Sequence, residues 1–213
     1  MQVFIHGGYW QELSKNESTF AGARFVENGF AFAAIDYTLA PAATIDDMIN
    51  QCCASIQWLY QNSEELGFDR HKIFLSGSSA GAHLASMVLL TCWSSYGLPA
   101  DCIKGVALMS GIYDLRPISH TYINEPLQMD EAKAKELSPL FKDLTAMPPA
   151  IICWGEYETD EFKRQSRDFS WALQNSGNKV ETFEVAAVNH FDIVHTLAEK
   201  DATLGRRVYA QMS

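Results

Sequence analysis

The sequence predicts an α/β fold in which a mostly parallel sheet is flanked by helices, and three observations carry that prediction. Short strand-like segments at 2–5, 30–37, 73–75, 103–109, 150–154 and 180–185, most of them apolar, alternate with helical-period segments, the pattern of parallel strands joined by crossovers. The run FAFAAI at 30–35 is apolar at successive positions, as a strand covered by helices on both faces requires. At 213 residues, 47% hydrophobic and 12% aromatic, the chain has enough apolar surface for one large core. One domain spanning 1–213 is expected.

Taken in order, 2–5 is a strand running into His6, Gly7, Gly8, Tyr9 and Trp10, so it ends in a glycine pair whose backbone N–H groups are free to face an anion. Residues 18–28 place Phe20, Ala21, Ala23, Phe25 and Val26 on a helical face and stop at Asn28 and Gly29. The strand at 30–37 follows, with Asp36 at its end as a hydrogen-bonded structural carboxylate. Thr44 with Asp46 and Asp47 reads as a capped helix start, continued to about residue 62 by Ile45, Met48, Ile49, Cys52, Ile56 and Leu59. Met48 and Trp58 on that helix are read as packing rather than as pocket residues. Residues 110–147 form the one long irregular stretch, with a charged helix near 130–137. A connection of that length predicts a lid-like or pocket-lining excursion bordering the active site.

The formal charge of −10 sets the surface against nucleic acids and anionic membranes, so a small molecule is the expected partner. Cys52, Cys53, Cys92, Cys102 and Cys153 include no CxxC pair and leave an odd thiol, which favours a reduced, cytoplasmic protein. No apolar run approaches a membrane span, and the first residues lack a signal-peptide pattern. There is no HExxH-type metal spacing and no phosphate-binding glycine loop distinct from HGG, so no metal or other cofactor is expected.

The chemistry centres on GSSAGAHLA at 77–85, where Gly77, Ser79 and Gly81 fit GxSxG after an apolar strand and before a helix from 80 to 90. That context makes a nucleophile elbow of a pattern common by chance, and it makes Ser79 the candidate nucleophile. Ser78 occupies the variable position. HGG after a strand supplies oxyanion donors in esterases and lipases, so the amides of Gly7 or Gly8, with that of Ala80 after the nucleophile, are the candidate oxyanion hole.

A serine hydroxyl needs a base, and the base needs a carboxylate to set its tautomer. His190 lies five residues past the last predicted strand, where that base is expected. His195 is expected to point away, His71 and His83 to be structural, and His120 to be free to touch substrate. The carboxylate is expected after the strand at 150–154, where Glu156, Glu158, Asp160 and Glu161 compete. Glu158 is preferred, three residues past Gly155. Asp160 is the local rival, suited instead to capping the next helix, Asp114 is a second rival, and Asp192 is too close to His190 in sequence. Tyr9, Trp10, Tyr113 and Phe191 flank these loops and are candidates for a flat aromatic slot.

With HGGYW, GSSAGAHLA, SGIYDLRPI, GEYETDEFKRQS and NHFDIV in this order, the chain resembles the kynurenine formamidase (arylformamidase) family of the α/β hydrolase superfamily over essentially its whole length. The resemblance implies metal-independent hydrolysis of the formamide of N-formylkynurenine to kynurenine and formate in tryptophan breakdown. It places the family's serine on Ser79, its histidine on His190, its HGG amides on Gly7 and Gly8, and its aspartate on Glu158, where this chain departs by one methylene. Relatives carry a longer segment, with at least one further strand, before HGG. The fold is therefore expected to lack the usual N-terminal strands and to leave 30–37 at the sheet edge, where an apolar strand invites pairing with a second copy. A broad carboxylesterase on the same triad is the alternative activity, and an inactive, shortened binding or assembly module is the alternative from another class.

Overall fold

The computed structural model describes all 213 residues. Six strands form one parallel sheet: β1 (Gln2–Ile5), β2 (Phe32–Ile35), β3 (Ile73–Ser78), β4 (Ile103–Met109), β5 (Ala150–Gly155) and β6 (Val180–Val185), in the spatial order β2-β1-β3-β4-β5-β6. Six helices connect and cover them: α1 (Gly22–Glu27), α2 (Ile45–Gln61), α3 (Ala80–Leu89), α4 (Glu131–Glu136), α5 (Asp160–Asn175) and α6 (Thr203–Met212). No helix is long and apolar enough to cross a membrane.

Period-two alternation along the buried strands divides the interior into two cores. Val3 and Ile5, Ile73 and Leu75, Val106 and Leu108, and Ala150 and Ile152 face the larger core with α2, α3 and α5. Phe4, Phe74, Ala107 and Met109, and Ile151 and Cys153 face the smaller one with α1 and α6. The central strands are apolar on both sides because both sides are covered.

The helix starts follow their local chemistry. Thr44 caps α2 by accepting the Asp47 N–H at 3.2 Å, and the Asp47 carboxylate accepts the Thr44 N–H at 2.9 Å, a reciprocal capping box. Asp130 caps α4 by accepting the Lys133 N–H at 2.7 Å. α5 starts one residue earlier than the capping reading of Asp160 requires: Thr159 is its N-cap and Asp160 its first helical residue.

Three elements depart from expectation. The strand expected at 30–37 pairs only over Phe32–Ile35 and is half-buried rather than covered on both faces, because β2 lies at the edge with β1 alone beside it. Trp58 points outward, 55% exposed, instead of packing into the core. α6 goes unanticipated, although Leu204, Val208 and Met212 recur at helical spacing and are buried in the smaller core.

Chain order reverses direction across the sheet at β1, which is flanked by β2 on one side and β3 on the other. Ligands of open parallel sheets bind beyond the carboxyl ends of strands at such a switch point. The pairing of Ile5 with Gly77 sets the glycine pair after β1 beside the serine after β3.

Candidate active site

Ser79 sits between β3 and α3 with φ 56° and ψ −122°, a backbone conformation costing a residue with a side chain about 1–3 kcal/mol. Its N–H donates to the Met109 carbonyl at 2.9 Å, tying the turn to the end of β4. The neighbouring glycines are required by contact distance. A Cβ at Gly77 would stand 2.3 Å from the Gly81 carbonyl oxygen, one at Gly81 2.1 Å from that of Ile5, and one at Gly7 2.8 Å from that of Ser78. All three obstacles are backbone, so β1, the elbow and the glycine loop interlock through main chain. Ser78 remains in strand β3.

The loop after β1 holds its carbonyls and leaves its amides unused. The Tyr37 hydroxyl donates to the carbonyls of His6 (2.9 Å) and Gly7 (3.1 Å), and its ring stacks on the His6 imidazole at 4.1 Å. The Gly8 carbonyl accepts the N–H groups of Gln11 and Glu12, both at 2.9 Å. Gly8 has φ +93°, where only glycine is comfortable. The N–H groups of Gly7, Gly8 and Ala80 donate to nothing within the protein. Asp36 is the hydrogen-bonded carboxylate expected, accepting from Lys15 N at 3.2 Å and from Nζ at 3.0 Å.

On the opposite side, Glu158 and His190 form a pair. His190 Nδ1 lies 3.0 Å from Glu158 Oε2, while Glu158 Oε1 accepts from Ser110 Oγ at 2.5 Å and from the Gly155 N–H at 2.6 Å. The Glu158 side chain has no solvent-exposed surface. Burial alone pushes its carboxyl up, but the hydrogen bonds from His190, Ser110 and Gly155 outweigh that and hold it below the usual carboxylate range. An ionised Glu158 requires the proton on Nδ1, which leaves Nε2 free to accept one. The Phe162 ring, one helical turn past Glu158, packs 4.1 Å from the imidazole.

Two loops therefore have to meet. Tyr157 N donates to the Val188 carbonyl at 3.0 Å, and the Glu156 carboxylate accepts the Ala187 N–H at 2.8 Å. Asn189 Oδ1 accepts the N–H groups of Phe191 (2.7 Å) and Asp192 (3.1 Å), shaping the turn that presents His190. The rival carboxylates are engaged elsewhere: Asp114 with Arg116 at 2.8 Å, Glu161 with Arg164 at 2.6 Å, and Asp192 with the Asn189 side chain at 2.5 Å. Glu158 alone of these bonds to His190.

Ser79, Glu158, His190, Gly7 and Gly8 line one cavity of about 810 Å³. Neither Ser79 Oγ nor His190 Nε2 makes a hydrogen bond within the protein. Tyr9 and Phe191 reach this cavity as expected, and Trp10 and Tyr113 do not. Trp10 is fully buried, donating from Nε1 to His83 Nδ1 at 3.2 Å, and Tyr113 is stacked in the core 4.2 Å from Phe169. Adjacency in sequence to a site loop misleads here: Tyr9 and Trp10 are successive residues of a turn with φ 48° and 64°, and only the first side chain faces the cavity.

Two further expectations are corrected. His195 does not point away; it lines the cavity with its ring edge-on to Phe20 at 5.2 Å, because residues 193–198 form a 3-10 helix. The excursion at 110–147 contributes no residue to the cavity wall, His120 included, and touches the centre only through Ser110. The wall is built instead from segments within 4–20, 78–79, 157–162 and 189–195, including Phe4, Phe20, Tyr157 and Phe162, which sequence reasoning missed. Tyr157 had the available signal: it adjoins Glu158 as Tyr9 adjoins Gly8. His83 is structural as expected, with Nε2 2.8 Å from the Leu137 carbonyl.

The chain is similar to known hydrolases in sequence and fold. The BD-FAE family model matches residues 1–173. The kynurenine formamidase of Danio rerio is 38% identical over 207 residues, covering 95% of this chain and 69% of that protein, and that of Salmo salar is 37% identical over 216 residues, covering 99% and 72%. The crystal structure of carboxyl esterase 2 from Tuber melanosporum superposes with a TM-score of 0.78 at 23% identity, covering 99% of this chain and 76% of that one. With a parallel sheet, a strained serine at the switch point and kynurenine formamidases as relatives, the chain belongs to the BD-FAE family of esterase-type α/β hydrolases and is a hydrolase of formamides or esters.

Proposed function

We propose that the protein is an arylformamidase that cleaves N-formylkynurenine-like aryl formamides through a Ser79–His190–Glu158 triad. The observation that carries this reading is the His190–Glu158 pair at 3.0 Å, sharing one cavity with a serine held in a strained turn. Ser79 Oγ attacks the formyl carbon while His190 Nε2 takes its proton, and the developing oxyanion is met by the amides of Gly7 or Gly8 and of Ala80. His190 gives the proton to the aniline nitrogen, the C–N bond breaks, and the amine leaves a formyl ester on Ser79. Water, deprotonated by His190, attacks that ester; formate departs and the serine proton returns. Glu158 stays ionised throughout and stabilises the imidazolium.

A formyl group needs little acyl space, and an aryl leaving group needs an aromatic surface. Tyr9 and Phe191 are the residues we assign to it. The similarity to kynurenine formamidases supports a formamide substrate, and the one we propose is N-formylkynurenine, cleaved in tryptophan breakdown. The buried thiols Cys52, Cys53, Cys102 and Cys153 suit a reducing, cytoplasmic setting. The half-buried edge strand β2 suits pairing with a second copy, so we assign a homodimer through the region 30–37, which a monomer mass by light scattering would overturn.

Rates on N-formylkynurenine and p-nitrophenyl acetate, measured in parallel, test the substrate. A kcat/KM at least tenfold higher for the formamide is expected; the reverse makes the protein a carboxylesterase on the same residues. Fluorophosphonate labelling that persists in Ser79→Ala would remove Ser79 from the reaction altogether.

A further inference from the structure

We propose that Ser110 is a positioning residue for the hydrolysis, holding the Glu158 carboxylate in the one orientation that serves His190. The inference rests on the triad reading above and adds a fourth side chain to it. Ser110 is the first residue after β4, fully buried, and its N–H donates to the Cys153 carbonyl at 2.8 Å, carrying the β4–β5 pairing one residue beyond the strand. Its φ of 50° lies in the left-handed region, an unfavourable setting for a residue with a side chain. In this strained position its hydroxyl donates to Glu158 Oε1 at 2.5 Å, within the range of a charge-assisted hydrogen bond.

The need for such a residue follows from the choice of acid. A glutamate carries one more rotatable bond than an aspartate, and its last torsion is broad, so one contact leaves the carboxylate plane free to turn. Here both oxygens are assigned: Oε1 takes the Ser110 hydroxyl and the Gly155 N–H, and Oε2 faces His190 Nδ1. Without Ser110, Oε1 keeps a single donor and the plane is free to swing about it. An aspartate at 158 is shorter by one C–C bond and draws its oxygens back from Ser110. The ionisable groups around the carboxylate are His190, the Cys153 thiol and the Tyr113 phenol, the last two pushed up by burial and neutral at working pH. Removing the Ser110 donor destabilises the charged carboxylate, so protonation at this site moves to higher pH.

Ser110→Gly tests the proposal, because glycine accepts φ 50° without strain and the fold is spared. On whichever of formamide or ester the unaltered enzyme turns over, kcat is expected to fall about 10- to 50-fold with KM within about twofold, the loss of one hydrogen bond to a charge. The acid limb of kcat/KM, which reports protonation of the coupled Glu158–His190 pair, is expected to move to higher pH. In a Glu158→Asp background the same substitution is expected to cost less than about threefold, since the shorter side chain has already left the hydroxyl. Unchanged kcat and pH profile in Ser110→Gly, whether or not the melting temperature moves, overturns the assignment while an inactive Glu158→Gln leaves the triad standing. Full activity in Glu158→Gln overturns the triad itself.

Discussion

The two halves of the centre are held by different physics. The elbow and the glycine loop are held by main chain against main chain: Gly77 on Gly81, Gly81 on Ile5 and Gly7 on Ser78, with no room for a methyl group. The acid–base half is held by side-chain hydrogen bonds, Ser110 and the Gly155 N–H on one carboxylate oxygen of Glu158 and His190 on the other. Steric interlock is all-or-none, whereas a hydrogen-bonded pair can lose one member and keep its backbone. Substitutions in the first half should therefore fail in folding, and those in the second should fail in turnover.

Ser79→Gly crosses that division and gives the largest effect. Losing the proposed nucleophile should lower kcat about 10⁵-fold or more, while the glycine relieves the φ of 56° and leaves thermal stability unchanged or slightly raised. A melting temperature that falls by many degrees would show that the serine, not the backbone around it, holds the turn. Glu158→Gln comes next, with kcat expected to fall about 10³–10⁴-fold in a protein that still melts cooperatively. Gly81→Ala should instead cost about 3 kcal/mol or more in chemical denaturation, since its methyl would lie 2.1 Å from the Ile5 carbonyl oxygen. A normally stable Gly81→Ala would dissolve the contrast.

A smaller effect is pH-dependent and arises behind the glycine loop. Trp10 Nε1 can only donate, so His83 Nδ1 accepts and Nε2 carries the proton to the Leu137 carbonyl. Full burial pushes His83 down to about 4 from its ordinary value of 6.5. Between those values the unfolded chain takes up a proton that the folded one refuses. The stabilisation is complete above pH 6.5 and is lost as pH falls towards 4, on the order of 3 kcal/mol in all. Urea denaturation across this window should show that slope, and His83→Gln should flatten it. The smallest change expected is at the far end of the crossover: Thr44→Ala removes the α2 cap for about 1 kcal/mol, or about 2–4 °C in melting temperature, with kcat untouched.

Much of this architecture is readable in the chain because its determinants are local. The strand at 103–109 coincides with its apolar run, that at 180–185 carries Val180, Phe183 and Val185 among polar residues, and Thr44 with Asp47 forms the capping box its spacing announces. GxSxG reveals the elbow because each glycine answers a contact within four residues or with the strand next door. The cavity wall is less readable. Tyr9 and Trp10 are adjacent and both aromatic, yet one faces the cavity and the other lies beneath it against His83. Phe20 and His195 come from distant segments and meet only because the 3-10 helix at 193–198 packs near the turn at 19–21.

By itself the sequence determined the parallel α/β scaffold, the strained serine, the glycine loop after the first strand and the histidine after the last, because periodicity, steric size and chain order are properties of neighbouring residues. Only the tertiary structure decided which carboxylate reaches that histidine, that Ser110 bonds to it, and which aromatic rings wall the cavity. Those contacts join residues tens of positions apart, and their partners are chosen by how the two cores pack rather than by any pattern along the chain.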